Sequence, residues 1–459
     1  MGPRVSGAAR PHGIGRSVRA GRRADGAASP STNRTFRTAL SPLAFTLVFL
    51  AAVLAATLTR FWLAARQIRH VVAHRDHVPE QFAARITPEA HRRAADYTVA
   101  RTRAALVDVL LQVAFVLALT LFGGLLALQS GLAALLPESP FARQVALVVA
   151  VALLSSAVEL PLSWWRQFRL EQRFGFNRMT PALWLADLAR GALVASVLGL
   201  PLLMLVLWLM RHLGSAWWLA AWAAWAGFTL LALVLFPTVI APLFNRFEPL
   251  ADSDLSRRID GLLARCGFRA RGVMVMDGSR RSAHGNAYFT GLGAAKRIVL
   301  FDTLIAKLDA PEIEAVLAHE LGHFRHRHVA RRIAVSLATS LAGLALLGWL
   351  IGQSWFFQGL NAPVLDGEPQ AVALVLFGLV APYFTFALRP LASLASRRDE
   401  YEADRFAASQ TRAADLASAL TKLYQDNAST LTPDPLHSAF YDSHPPAALR
   451  IGRLSAAHA

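Results

Sequence analysis

The sequence predicts a mostly α, polytopic membrane protein with about seven transmembrane helices and one small α+β domain, on three observations. Of its 459 residues, 54% are hydrophobic and only 17% charged, too apolar for an ordinary soluble chain of this length. Seven stretches are long and apolar enough to cross a hydrocarbon core of roughly 30 Å as helices; they cover about 43–65, 104–128, 145–165, 183–210, 217–241, 333–351 and 371–388. A polar stretch of domain size, about 245–332, separates the fifth from the sixth.

Residues 1–37 are rich in Arg, Gly, Ala, Ser and Pro without hydrophobic periodicity, which predicts a disordered basic tail. Arg22-Arg23 lacks the rest of a twin-arginine signal, and the first span is long enough to stay as an anchor. Residues 38–244 then form an N-terminal membrane domain of five spans, and 245–459 a second domain that includes two further spans. Trp and Tyr near many span ends suit the interfacial belt. The polar stretch opens with a helical pattern at 255–266, followed by extended pieces at 272–276, 286–289 and 297–301, where β-branched and aromatic residues cluster. Asp277-Gly278-Ser279 and Gly291-Leu292-Gly293 supply the turns. A helix follows, with Pro311 suited to its first position and Glu312 and Glu314 in its first turn.

The formal net charge is +17, but the surplus is spread over span-flanking loops, with no groove-reading module to suggest nucleic acid. It is better read through the positive-inside rule. With seven spans, loops 1, 3 and 5 and the C-terminal end share one side. That side carries Arg60, Arg66, Arg69, Arg75, Arg92, Arg93, Arg166, Arg169, Arg173, Lys296, Arg297 and Arg325, and is expected to be cytoplasmic. The basic tail would then lie opposite, against the rule. The single cysteine, Cys266, permits neither an intrachain disulfide nor a cysteine-based metal site, so a metal here must be held by His and carboxylate.

His319-Glu320-Leu321-Gly322-His323 carries two histidines at i and i+4, on one helical face and able to share one Zn²⁺. Glu320 stands beside them, placed to take a proton from the attacking water and pass it to the leaving amine. A catalytic zinc takes a third protein ligand, and the candidate region is 397–404. Taken as straight helices, the motif enters the sixth span about 14 Å beyond His323, and Glu400 lies about 18 Å past the seventh, so Glu400 reaches a similar height. Pro390 could bend that second helix. Asp404, four residues on, shares the face of Glu400 and could orient a ligand histidine. His326 and His328 read as membrane-interface residues rather than ligands.

On these residues the chain resembles the type I CAAX prenyl proteases, integral membrane zinc endopeptidases of the gluzincin kind. The likeness extends to Glu171-Gln172-Arg173-Phe174-Gly175-Phe176-Asn177, Ser282 to Phe289, Lys296 to Leu304, Ser396-Arg397-Arg398, Asp434-Pro435-Leu436 and Ser443-His444-Pro445, over about residues 40–455. It implies that the α+β part is a zincin-like metalloprotease domain and that the spans enclose a chamber. Asp108, Glu159, Asp187 and Arg190, expensive in hydrocarbon, would line that chamber or pair inside the helix bundle. It further implies that Glu400, rather than Glu402, is the third ligand of one Zn²⁺ per chain. Asn286 and Ala287 would then pair with substrate as an added strand, while His444 and Arg450 donate to the oxyanion and to substrate carbonyls.

The leading expectation is a zinc-dependent endopeptidase that acts on a peptide or protein, lipidated or membrane-associated, as the family does on prenylated C-termini. The Ala-, Arg- and Leu-rich composition reads as bacterial. A bacterial inner membrane, with the site toward the cytoplasm, then favours a second reading, a quality-control protease without a prenyl substrate. A third, a non-catalytic zinc scaffold or transporter, has no use for Glu320.

Overall fold

In the computed structural model of this chain the described residues are 40–251, 253–268, 272–290, 297–365 and 367–456. The basic tail, the Gly291-Leu292-Gly293 turn and Lys296 lie outside them. From Leu40 onward the chain is one compact unit, and seven of its described helices are long and apolar enough to cross a membrane.

The chain begins with α1 (Pro42–Ala73) and α2 (Pro88–Leu119). A shorter apolar helix, α3 (Gly124–Leu135), precedes α4 (Pro140–Trp165), α5 (Pro181–His212) and α6 (Trp217–Leu235). Three of these start alike. Ser41, Thr87 and Thr180 stand before Pro42, Pro88 and Pro181, and each hydroxyl accepts the backbone N–H three residues on, from Ala44, Ala90 and Leu183. The cap satisfies an orphan donor and the proline presets the first turn. Large apolar side chains left exposed along the spans, among them Leu43, Leu54, Leu110 and Leu193, are what lipid rather than water would cover. Inward, Phe49, Leu119, Leu147, Leu207, Leu347 and Leu376 share one apolar core.

The second expected span, 104–128, runs across a break. α2 ends at Leu119, and Gly123 adopts a left-handed φ of 76° before α3 starts. Two separate helices therefore replace one, because apolar composition continues across a backbone turn that only Gly123 marks.

The polar domain holds β1 (Phe247–Pro249), α7 (Ser253–Arg265), β2 (Val273–Met276), β3 (Ala287–Thr290), β4 (Arg297–Phe301) and α8 (Ala310–Arg325). Its four-stranded sheet has the order β1-β2-β4-β3. β2 and β4 are parallel, and the outer strands antiparallel. The sheet, α7 and α8 bury Ile259, Leu262, Ile298, Leu300, Leu317 and Leu321 in a second core. α8 opens with a capping box between Asp309 and Glu312, and Lys422 bridges both carboxylates at 3.0 and 2.7 Å.

α9 (His328–Leu350) and α10 (Gln370–Thr385) complete the spans, followed by α11 (Arg389–Gln410), α12 (Ala413–Asp426), α13 (Pro435–Tyr441) and α14 (Ala447–Ala456). The motif helix does not continue straight into the membrane as expected. Arg327 turns left-handed, φ 57°, and α9 begins anew. At the other span, one 3-10 turn (Phe386–Leu388) joins α10 to α11, and Pro390 falls in the first turn of α11, where its missing N–H costs nothing.

Candidate metal centre

His319 and His323 project from one face of α8, and Glu400 meets them from α11. His319 Nε2 stands 3.3 Å from His323 Nε2 and 3.4 Å from Glu400 Oε2. His323 Nε2 is 3.4 Å from Glu400 Oε1. Two ligands held about 2.0–2.1 Å from a tetrahedral zinc stand roughly 3.3–3.4 Å apart. Glu400 Oε2 is also buried without a hydrogen-bond donor, a costly state that a cation relieves. The three side chains therefore fit a zinc ion.

Behind His319, Asp404 Oδ1 lies 2.9 Å from Nδ1. Arg450, buried, donates to the two Asp404 oxygens at 2.9 and 2.6 Å. Burial alone would lower the His319 pKa, but Asp404 and Glu400 outweigh it and raise it to about 9. Glu400 and Asp404 are held below the usual carboxylate range: burial opposes this, and the His319 imidazole facing each carboxylate leads the groups that overcome it. This is a site poised for positive charge.

His323 has its own support. Its Nδ1 is 2.9 Å from His328 Nδ1, and His328 Nε2 is 3.0 Å from Glu402 Oε2. If the His323 Nε2 lone pair faces a metal, Nδ1 must carry the proton and donate to His328 Nδ1. His328 then carries its proton on Nε2 and donates to Glu402, so one arrangement satisfies the chain. This corrects the expectation that His328 sits at the membrane interface, since it is fully buried. His326 is exposed and stacks on the His328 ring at 5.6 Å. Sequence spacing carried no signal for His328, because five residues past His323 is out of phase on a continuous helix.

Glu320 adjoins the cluster; burial pushes its carboxyl up, Glu400 adds to this, and the two imidazoles oppose it. His444 Nε2 lies 3.5 Å from Glu400 Oε1, with the side chain 60% exposed. Its segment is pinned to the first span: Asp434 caps α13 through Leu436 and His437 N–H, pairs with Arg66 at 2.9 Å, and donates its backbone N–H to Gln67. Asn286 stands just before β3, which Ala287 begins and which pairs only with β4 among the described strands, Ala287 opposite Leu300. Its outer edge has no strand partner among the described residues.

The Glu171–Asn177 segment clasps the loop before β3. Tyr97 donates to Glu171 at 2.7 Å, the Phe176 and His284 rings stack at 4.4 Å, and Ala283 N–H donates to Phe176 O. A cavity of about 950 Å³, bounded by α1, α2, α11 and α13, reaches His444 and includes Asp108. A second of about 570 Å³ includes Glu159. Asp187 and Arg190 line neither: they pair with each other at 2.9 Å, and Asp187 takes Arg281 at 2.8 Å. That pair ties α5 to the loop before β3.

A paired-histidine helix, a carboxylate from a second helix, an adjacent glutamate and a polar cavity among apolar spans together define a membrane-embedded zinc peptidase. Comparison with known proteins specifies which. Residues 67–246 match the model of the CAAX prenyl protease N-terminal region with five membrane helices, and 249–458 match peptidase family M48. CAAX prenyl protease 1 of Saccharomyces cerevisiae is 35% identical over 316 residues, 66% of this chain and 69% of the relative. The CAAX prenyl protease 1 homolog of Arabidopsis thaliana is 35% identical over 323 residues, 69% and 74% of the two chains. The crystal structure of S. mikatae Ste24p superposes with a TM-score of 0.83 at 30% identity, over 89% of this chain and 99% of that one. The chain belongs to the CAAX prenyl protease 1 family of M48 peptidases, and is a multi-pass membrane zinc metalloendopeptidase.

Proposed function

We propose that His319, His323 and Glu400 hold one Zn²⁺ per chain and that Glu320 is the base, then the acid, of peptide hydrolysis. The 3.3–3.4 Å triangle beside Glu320 carries this reading. Zinc bound there would supply Lewis acidity, lowering the pKa of water and polarising a carbonyl. Glu320 takes the proton of the attacking water and delivers it to the leaving amine. His444, exposed on the cavity side, donates to the developing oxyanion. With Nε and Nη2 Arg450 fixes Asp404 and, through it, the His319 ring, and its Nη1, 3.7 Å from Glu400 Oε2, donates to a substrate carbonyl. Asn286 and Ala287 offer their outer edge to an extended substrate.

The substrate is a peptide or protein, and we propose that it is membrane-associated; the relatives' name, CAAX prenyl protease, supports a lipidated one, and the bacterial composition an unlipidated one cut in quality control. The site faces the cytoplasm, supported by the loop charge, in a bacterial inner membrane, supported by composition; no nucleic acid is involved. The division into 1–37, 38–244 and 245–459 is part of this proposal, and family matches that meet between residues 246 and 249 support its second boundary.

Purified protein is expected to contain about one zinc per chain, and Glu320→Gln to abolish cleavage while keeping the metal. Hydrolysis retained in that variant would remove Glu320 from the mechanism. Comparing proteomes of cells with active and Glu320→Gln protein identifies the substrates: accumulation of unlipidated misfolded membrane proteins would replace the lipidated substrate by quality control.

A further inference from the structure

The cavity beside His444 carries positive charge that its walls do not neutralise. Arg60, Arg101 and Arg389 line it against Asp108 and Asp442, and Asp108 is engaged from outside by Arg166 at 3.5 Å. Arg60 and Arg389 share one aromatic shelf. The Arg60 guanidinium lies 4.7 Å from the centre of the Phe386 ring and 5.8 Å from that of Tyr383, and Arg389 lies 5.1 Å from that of Tyr441. Phe386 in turn stacks on Phe440 at 5.7 Å. Burial raises the Tyr441 phenol pKa, and both arginines act on it in the opposite sense. Among the described residues neither has an ion-pair partner.

Ring faces supply part of the stabilisation that a guanidinium loses on leaving water. Arg60 is half-buried and Arg389 exposed on the cavity side, so both guanidiniums are open to a ligand that enters the cavity. The missing partner is an anion, and the flat fork of a guanidinium matches a carboxylate or phosphate. Tyr441 and His444 are three residues apart, so their Cα atoms lie within roughly 11 Å of each other, which puts the shelf and the reacting end on one stretch of the cavity wall. An extended peptide crosses that distance in about three residues. The one anion every peptide brings, whatever its sequence, is its C-terminal carboxylate.

We propose that Arg60 and Arg389 form an anion-binding subsite that receives the C-terminal carboxylate of the substrate. The inference rests on reading the cavity as the chamber in which a peptide is cut near its C-terminus.

The test uses full-length Glu320→Gln protein in phosphatidylcholine nanodiscs and two fluorescent peptides with S-farnesylcysteine fourth from the end, identical except for a free C-terminal acid or amide. Anisotropy should show the acid binding about tenfold tighter, the scale of a charge-assisted pair. Arg60→Gln with Arg389→Gln should erase that preference, and the paired lysine variants should keep part of it. Equal binding of acid and amide overturns the subsite, and so does binding of neither. A preference that survives the double glutamine variant overturns it too, and the first comparison needs no altered arginine. If phosphatidylglycerol in the discs abolishes the acid's advantage, a lipid phosphate is the occupant and the carboxylate assignment falls. Cleavage by wild-type protein separates the two levels. Wild type that cuts the peptides while acid and amide bind alike loses only the subsite, and wild type that cuts neither while the acid binds better loses only the substrate reading.

Discussion

Gly322 of α8 lies so close to Ala403 of α11 that a Cβ added to the glycine would stand 2.8 Å from Ala403 Cα and 3.1 Å from its carbonyl oxygen. The backbones meet where His323 on one helix and Glu400 on the other complete the proposed metal triangle. Gly322→Ala is therefore expected to push the helices apart, costing about 1–3 kcal/mol and much of the bound zinc, read by thermal unfolding and metal content. Ala403→Gly should not repair it, because the obstacle is backbone. Restoration of zinc in the double variant would refute the close-approach account.

His328→Leu removes the acceptor of the His323 Nδ1–H bond. Loss of such support typically costs 10–100-fold in metal affinity, which competition with a zinc chelator measures without reference to activity. Glu402→Gln is expected to do less, since an amide oxygen still accepts from His328 Nε2–H. A folded His328→Leu protein with wild-type zinc affinity would show that His323 is oriented by packing alone.

Asp434 makes a prediction in pH. Burial works against its charge, but the His437 N–H and Arg66 lead the groups that hold its pKa below the ordinary 3.8. A depressed carboxyl stabilises the folded state above its ordinary value, and the contribution is lost as pH falls below it. Wild-type melting temperature should thus drop more steeply below about pH 4 than that of Asp434→Ala. At neutral pH the same variant should cost about 1–2 kcal/mol through its lost cap. Parallel acid limbs for the two proteins would dismiss the pair as a stabilising element.

Cys266 is the chain's only cysteine, at the end of α7 in the polar domain and half-buried. A membrane-impermeant maleimide should label it in inverted vesicles and spare it in right-side-out ones, if that domain faces the cytoplasm. Burial raises its thiol pKa, so labelling should quicken as pH rises. The opposite sidedness would reverse the assigned orientation.

How far each feature could be read in advance depended on whether its cause is local. His319 and His323 share a face because of spacing alone, and Asp404 follows Glu400 by the same rule. The 297–301 strand coincides with β4 because its apolar run is bounded by polar and turn residues. His328 escaped because its place depends on left-handed backbone at Arg327, and arginine does not announce such a turn. The end of α2 escaped because hydropathy is blind to a backbone break inside apolar sequence. β1 has three residues and ends in Pro249, too short for any alternation to emerge. Arg450 reaches Asp404 across 46 positions, a contact no periodicity encodes.

The turn at Arg327 divides one apparent helix into parts with separate duties. Membrane thickness acts on α9, whose length and tilt must suit the lipid around it, while coordination geometry acts on α8, whose phase must stay constant to a fraction of an ångström. Had the two formed a single rod, any residue added to match a thicker bilayer would have rotated the histidines by about 100°. Separated by a corner, the span can lengthen or shorten over evolutionary time, or be exchanged by an engineer, without re-registering the ligands.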